Sequence, residues 1–375
     1  MTTLLSFHCI HIIRLLHFQM KIIFDVKHLY YLPQYLPVIA ELKKAGIATK
    51  CVFHKDGDAK LAEICQQAIC KEKLEAVWCD NWQQAKEFYL NEKAEWIVFG
   101  NAVEDIELIH SVSKTVMMLH GIGPKAVYYD MPKEPMTVRF VEGQYRLNRL
   151  QKMHPNNHFI DTGYAKLDPA INKLIDGFSL ADLGLDPNKK TVLYAPTFYP
   201  SSIELMPKQL PATLKDYNLI VKPHFFSLTK PKYSTHQKIL RRWEKANNVF
   251  VCGTGDYNLT PFMTLSDAMI SDASSAIFEF AALDKPVVWC DFYKLRWSYR
   301  GIFKFRLKQR VDDDIQYFEQ VGWKVSSPNE LLNALNNALN EPQSKQAQRR
   351  EIVEKLAGRV DGRCSERIVE YFLNN

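Results

Sequence analysis

From residue 20 onward the chain alternates between short, mostly apolar runs and longer stretches with apolar residues at helical spacing. No other feature restricts the fold as strongly. Runs that are apolar on both faces, each followed by a helix, fit a parallel sheet covered by helices on both sides. In the first half the strand-like runs are "KIIFDV", "ATKCVF", "EWIVFG", "KTVMMLH", "TVRFVEG" and "NHFIDTG". Helical segments near 34–45 and 58–70 and "YRLNRLQKM" lie between them, with Gly46 where a helix C-cap belongs. A second series, "TVLYAPT", "YNLIVKPH", "NVFVCGT", "AMISD" and "PVVWC", starts at Thr191, and helical segments near 328–340 and 345–373 close the chain. Between the series, "DGFSLADLGLDPNKK" supplies Gly, Asp and Pro turn signals. The expected class is α/β, with two Rossmann-like domains whose parallel sheets face a central cleft. The expected boundaries are an extension 1–19, an N-terminal domain 20–165, a linker 166–190, a second domain 191–345 and a C-terminal helix 346–375. Two domains are also what 375 residues favour.

Residues 1–19 stand apart. "LLSFHCIHIIRLLHF" is broken by Arg14 and three His, is too short to span a bilayer and lacks an A-x-A cleavage site. It reads as an upstream extension or an interfacial helix. With 47% hydrophobic and 24% charged residues the chain has the composition of a well-cored soluble protein. The net charge of +6 points to an anionic substrate or surface, and the basic residues are not gathered into a nucleic-acid-binding arm. The 8 Cys form no C-x-x-C pair and read as reduced thiols of a cytoplasmic protein.

Ligands of open parallel sheets sit beyond the carboxyl ends of the strands, so the residues that end each apolar run are the candidates. After "TVMML" come His120, Gly121, Ile122, Gly123, Pro124 and Lys125. After "VLYA" come Pro196 and Thr197; after "NLIV", Lys222, Pro223 and His224. After "AMI" come Ser271, Asp272, Ala273, Ser274 and Ser275, with Glu279 one helical turn later. Hydroxyls, imidazoles and ammoniums at strand ends are the lining expected for a phosphate-rich ligand. The serines have two readings: helix capping, or donors beside the positive end of a helix for phosphate oxygens.

Three motifs are decoys. Gly121-Ile122-Gly123-Pro124-Lys125-Ala126 fits the dinucleotide fingerprint, but Pro124, Pro132 and Pro135 oppose the crossover helix that it needs. His154 and His158 bracket Pro-Asn-Asn, a loop and not a helical zinc motif. Asp312-Asp313-Asp314 reads as a solvated acidic helix start. No metal site and no cofactor are expected. A further stretch, "YKLRWSYRGIFKFRLKQR" (293–310), alternates seven basic residues with aromatics and suits anionic lipid headgroups or a polyphosphate acceptor.

At these residues the sequence resembles the CDP-glycerol glycerophosphotransferase family of teichoic acid and capsule polymer synthesis. The counterparts of the family motifs are His120-Gly121-Ile122-Gly123-Pro124, Gly163-Tyr164-Ala165-Lys166, Ala195-Pro196-Thr197-Phe198, Lys222-Pro223-His224 and Ser271-Asp272-Ala273-Ser274-Ser275 with Glu279. "DKPVVW" and Arg300-Gly301 follow in order. Lys166 stands where the family has Arg, Ala273 where it has Tyr, and the loop after His120 holds one extra residue. The resemblance implies a GT-B-like fold. It also implies transfer of glycerol phosphate from CDP-glycerol to a lipid-linked or polymeric acceptor, with release of CMP, at the cytoplasmic face of a membrane. His120 is then expected as general base. Lys222, Lys166, a protonated His224 and the helix start at Ser274-Ser275 are expected to bind the diphosphate. The alternatives are a GT-B glycosyltransferase or epimerase acting on a UDP- or GDP-sugar, and a non-catalytic nucleotide-binding subunit.

Overall fold

The computed structural model describes residues 20–123, 126–130, 134–175, 177, 179–295 and 312–375. The expectations for 1–19, for Pro124 and for most of 293–310 lie outside them.

Seven strands build the first sheet: β1 (Lys21–Val26), β2 (Ala48–His54), β3 (Ala76–Cys79), β4 (Trp96–Phe99), β5 (Lys114–Met118), β6 (Val138–Val141) and β7 (Phe159–Asp161), in the order β3-β2-β1-β4-β5-β6-β7. Six build the second: β8 (Thr191–Ala195), β9 (Asn218–Val221), β10 (Val249–Val251), β11 (Ala268–Ser271), β12 (Val287–Cys290) and β13 (Gly322–Val325), in the order β10-β9-β8-β11-β12-β13. All the pairings are parallel; Ile23 of β1 faces Lys50 and Ile97, and Leu193 of β8 faces Ile220 and Met269. Each sheet reverses its strand order once, between β1 and β4 and between β8 and β11. At such points the connections diverge to opposite faces and open a crevice.

Two strands were not expected from the sequence. β3 "AVWC" is half-buried at an edge, and β13 "GWKV" leaves Lys324 exposed at the other domain's edge. β13 interrupts its apolar run with Lys324, and β3, though apolar, is only four residues long between Glu75 and Asp80.

The central strands are buried on both faces because helices cover both. Leu32–Lys44 lays Tyr35, Val38, Ile39 and Leu42 on one face of the first sheet, and Trp82–Glu92 buries Ala85 and Tyr89 on the other. The region read as one C-terminal helix is two. Gln346–Ala357 packs Ile352, Val353 and Leu356 into the second domain. Cys364–Asn374 crosses back and inserts Ile368, Val369 and Phe372 into the core of the first. Asp168, at the end of the first domain, caps this returning helix by accepting from the backbone N–H of Cys364 and Ser365 and the Ser365 hydroxyl. Between the two helices Gly358 has φ +71°, and a Cβ there would lie 2.6 Å from the Gly143 nitrogen, so only glycine lets the domains meet at this point. Two Rossmann-like domains joined by a crossing helix are the GT-B-like arrangement expected.

Candidate active site

The carboxyl edges of both sheets line one cleft of about 650 Å³. From the first domain come Tyr30 after β1, Asn101 after β4, and His120, Gly123 and Tyr128 after β5. From the second come Pro196, Thr197 and Phe198 after β8, and Lys222, Pro223 and His224 after β9. Gly253, Thr254 and Asp256 follow β10, and Ser274, Ser275 and Glu279 follow β11. Lys166 enters from the junction between the domains.

The His120 loop is fixed from several sides. The Tyr164 hydroxyl donates to the His120 carbonyl at 2.7 Å, and Arg146 Nη2 donates to the Gly123 carbonyl at 3.1 Å. Arg146 is buried, paired with Glu142 at 2.7 Å, and lies under the rings of Tyr128 and Tyr129. Gly121 and Gly123 let this loop rest on the opposite domain, where an added Cβ would come within 3.2 Å of the Ser275 hydroxyl or 3.0 Å of its Cβ. The His120 ring stacks on Tyr31, and its Nδ1 lies 3.4 Å from the Gly100 carbonyl. A carbonyl only accepts, so this contact places the proton on Nδ1 and the lone pair on Nε2.

His224 has the opposite tautomer. The backbone N–H of Phe226 donates to its Nδ1 at 3.1 Å, which caps the short helix Phe225–Thr229. That nitrogen therefore carries no proton, and Nε2 is a neutral N–H donor. The charged His224 expected from the sequence does not fit this geometry, because protonation of Nδ1 would break the cap. Tyr30 stands between the two imidazoles, its ring 4.8 Å from that of His120 and 6.2 Å from that of His224.

The lysines differ in kind. Lys166 Nζ is 2.6 Å from Glu279 Oε2, with both side chains largely buried, so its charge is already compensated. Burial pushes the Lys222 ammonium below the usual lysine range; Cys252 and Asp256 oppose that shift and Lys166 adds to it.

The serines separate into two layers. Ser274 and Ser275 line the cleft; Ser274 Oγ accepts from the Ala276 N–H and Ser275 Oγ donates to Glu279. Ser271 and Asp272 are fully buried beneath it. Ser271 donates to the Ala195 carbonyl at 2.7 Å. Asp272 accepts from the backbone N–H of Thr197 and Ser202 and from the hydroxyls of Ser201 and Ser202. Four donors hold the β8 loop in place, while burial pushes the carboxyl up to about 6. These two residues shape the site from below. The helix at Ala276–Ala281 has only six residues, so side chains more than a long helix dipole set its electrostatics.

Asp314 is not solvated. It is buried and accepts from Tyr129 and Tyr145 of the first domain, while Asp312 takes a two-bond fork from Arg149. The acidic run is a clasp between the domains. Among the described residues, no three His, Cys, Asp or Glu side chains converge as metal ligands, and no helix is long and apolar enough to cross a membrane.

The likeness to known proteins follows the same lines. A teichoic acid glycerol-phosphate primase of Bacillus spizizenii is 34% identical over 111 residues, 28% of this chain and 26% of that protein. The aligned part therefore spans about a quarter of its length. Among solved structures, the wall teichoic acid polymerase TagF superimposes with a TM-score of 0.65 at 17% identity, covering 94% of this chain and 88% of that one. UDP-GlcNAc 2-epimerase from Neisseria meningitidis bound to UDP-GlcNAc gives 0.59 at 15% identity, covering 95% and 100%. At such identities these neighbours show the fold. The family of CDP-glycerol:poly(glycerophosphate) glycerophosphotransferases matches residues 79–374, well over half the sequence, and the chain belongs to that family.

Proposed function

We propose that the chain transfers a glycerol-phosphate unit from CDP-glycerol to a hydroxyl of a lipid-linked or polymeric acceptor of the teichoic-acid type, releasing CMP, on the cytoplasmic side of a membrane. The observation that carries this reading is the pair of imidazoles that opposite domains bring to one cleft, His120 with Nδ1 against a carbonyl and His224 with Nδ1 accepting from a backbone N–H, an arrangement that suits a lone pair on one Nε2 and a proton on the other. Transfer requires both. The acceptor hydroxyl loses its proton to His120 Nε2 as its oxygen attacks the β-phosphorus, and the bond to the bridging oxygen breaks to release CMP. Negative charge accumulates on the phosphoryl oxygens and the leaving group. His224 Nε2–H, the Lys222 ammonium and the Ser274 hydroxyl, whose oxygen accepts from Ala276 N–H and whose hydrogen is left to donate, supply donors for that charge. Phosphoryl transfer depends on positioning and charge stabilisation more than on covalent chemistry, and preorganised donors in a partly dry cleft provide both.

The test is a panel of CDP-glycerol, other CDP-alditols, UDP-sugars and GDP-sugars, each incubated with the protein and a glycerol-phosphate acceptor. CMP release with incorporation of glycerol phosphate, from CDP-glycerol alone or far above the rest, is the expected result. Turnover of a UDP-sugar in its place would move the chain to the epimerase or glycosyltransferase reading. CDP binding without any turnover would favour the non-catalytic one.

A further inference from the structure

A second cavity of about 180 Å³ adjoins the cleft and shares Phe198 and Tyr199 with it as a wall. It is too small for a nucleotide, being well under the ~300–1,000 Å³ of sites for larger ligands, and has room for one small polar unit. Its lining is mixed. Phe198, Tyr199 and Tyr233 form aromatic walls, with Lys232 5.3 Å above the Tyr233 ring. The Glu204 carboxylate lies within 3.1 Å of Lys294 Nζ and 3.5 Å of His236 Nε2. Aromatic faces cover C–H groups, a carboxylate accepts from hydroxyls, and ammoniums bind phosphate. Together these are the groups that recognise a polyol phosphate.

Beyond Lys232 the surface continues in the same chemistry. The helix Ser234–Trp243 turns Leu240 and Trp243 inward and leaves Lys238, Arg241 and Arg242 exposed, followed by Lys245. Lys238, Arg241 and Arg242 fall at i, i+3 and i+4, one face of the helix, and Lys245 follows in the turn beyond its end. Glu244 is the lone acidic residue from Ser234 to Lys245. The helix joins the cleft end of β9 to the far end of β10, so its basic face leads away from the cleft. Its fully exposed positions are all polar, whereas a helix that binds lipid presents apolar side chains to the membrane.

We infer that this cavity and the basic face beyond it form an acceptor subsite: the cavity holds the phosphodiester-linked polyol unit next to the one that reacts, and the helix takes the following phosphates. The inference rests on the proposed transfer reaction and names the course of its polyanionic acceptor. Calorimetric titration of the protein with an oligomer of about six glycerol-phosphate units tests it without turnover, so its failure is separate from failure of the reaction itself. The variants are Lys232→Glu with Arg241→Glu, at exposed positions, and Glu204→Gln. The charge-reversal pair should weaken oligomer binding about tenfold or more and flatten its salt dependence. Glu204→Gln should weaken it with the salt slope kept. In turnover, KM for the oligomer should rise while KM for a single-unit acceptor changes less than twofold. Unchanged oligomer binding in the charge-reversal pair, or equal KM changes for short and long acceptors, would overturn the subsite. So would binding to phosphatidylglycerol vesicles that depends on these residues and that the soluble oligomer does not displace.

Discussion

Lys166→Met should expose the asymmetry of the ion pair that joins the domains. Lys166 and Glu279 meet at 2.6 Å with side-chain exposures of 12% and 3%. Removing the lysine leaves a buried carboxylate with only the neutral hydroxyls of Ser275, at 3.3 Å, and Tyr164 beside it among the described side chains. Stranding one member of a buried pair costs ~3–5 kcal/mol. Glu279→Leu is milder, at about 1–3 kcal/mol, because the lysine it leaves unpaired is less buried and can turn to solvent. The double variant Lys166→Met/Glu279→Leu removes both charges and should return to within ~1 kcal/mol of the parent or exceed it. Urea denaturation of the four proteins gives the cycle, with an expected coupling of ~2 kcal/mol or more. A loss below ~1 kcal/mol in Lys166→Met, or additive single effects, would refute a buried pair between the domains. The same variants divide the lysines by function. Because Glu279 already compensates Lys166, Lys166→Met should weaken CDP-donor affinity less than Lys222→Met does.

Further outcomes follow from other contacts. A bound diphosphate raises the lowered pKa of Lys222, so the complex holds more protons than the free protein. Donor affinity should therefore fall as pH rises through the free-protein value, while folding stability gains as pH climbs from there toward the unfolded lysine value; an affinity flat to pH 10 contradicts this. Arg146→Lys loses the planar fork that holds both Gly123 and Glu142, and should lower kcat ~10-fold or more with CDP affinity nearly unchanged. An equal loss in both would mark a general folding defect. His224→Gln keeps a neutral N–H donor and should bind CDP more tightly than His224→Ala, whose loss should be ~1.5–3 kcal/mol. Equal losses in the two would oppose the neutral-donor assignment.

Much of this architecture is legible in the sequence because central parallel strands are buried on both faces and so mostly apolar, as "KIIFDV" and "NLIV" are. The edge strands β7 and β10 were legible too, but β3 offers only four apolar residues and β13 is broken by Lys324, which is why these two escaped notice. The strand ends marked out His120, Lys222, His224, Ser274 and Ser275 as cleft residues because each interrupts an apolar run with polar side chains. What local pattern cannot reveal is orientation. Ser271 and Asp272 look like their neighbours, yet they turn inward because the β8 loop offers them a carbonyl and four donors. Asp314 is buried by tyrosines 169 and 185 residues away, and the neutral state of His224 depends on one backbone N–H. Tyr30, Arg146 and Asp256 reach the site or its supports through tertiary contacts. The missed signal for Tyr30 was its place just after β1, at the first sheet's switch point.

The most direct test of the account is single-turnover CMP release from CDP-glycerol by the parent and by His120→Ala, with donor affinity measured on both by titration with CDP. If His120 Nε2 takes the acceptor proton, the variant should release CMP ~10²–10⁴-fold more slowly, the usual worth of a positioned base, while CDP affinity stays within about twofold. CMP release at the parental rate in His120→Ala would contradict the account, as would loss of CDP binding in that variant.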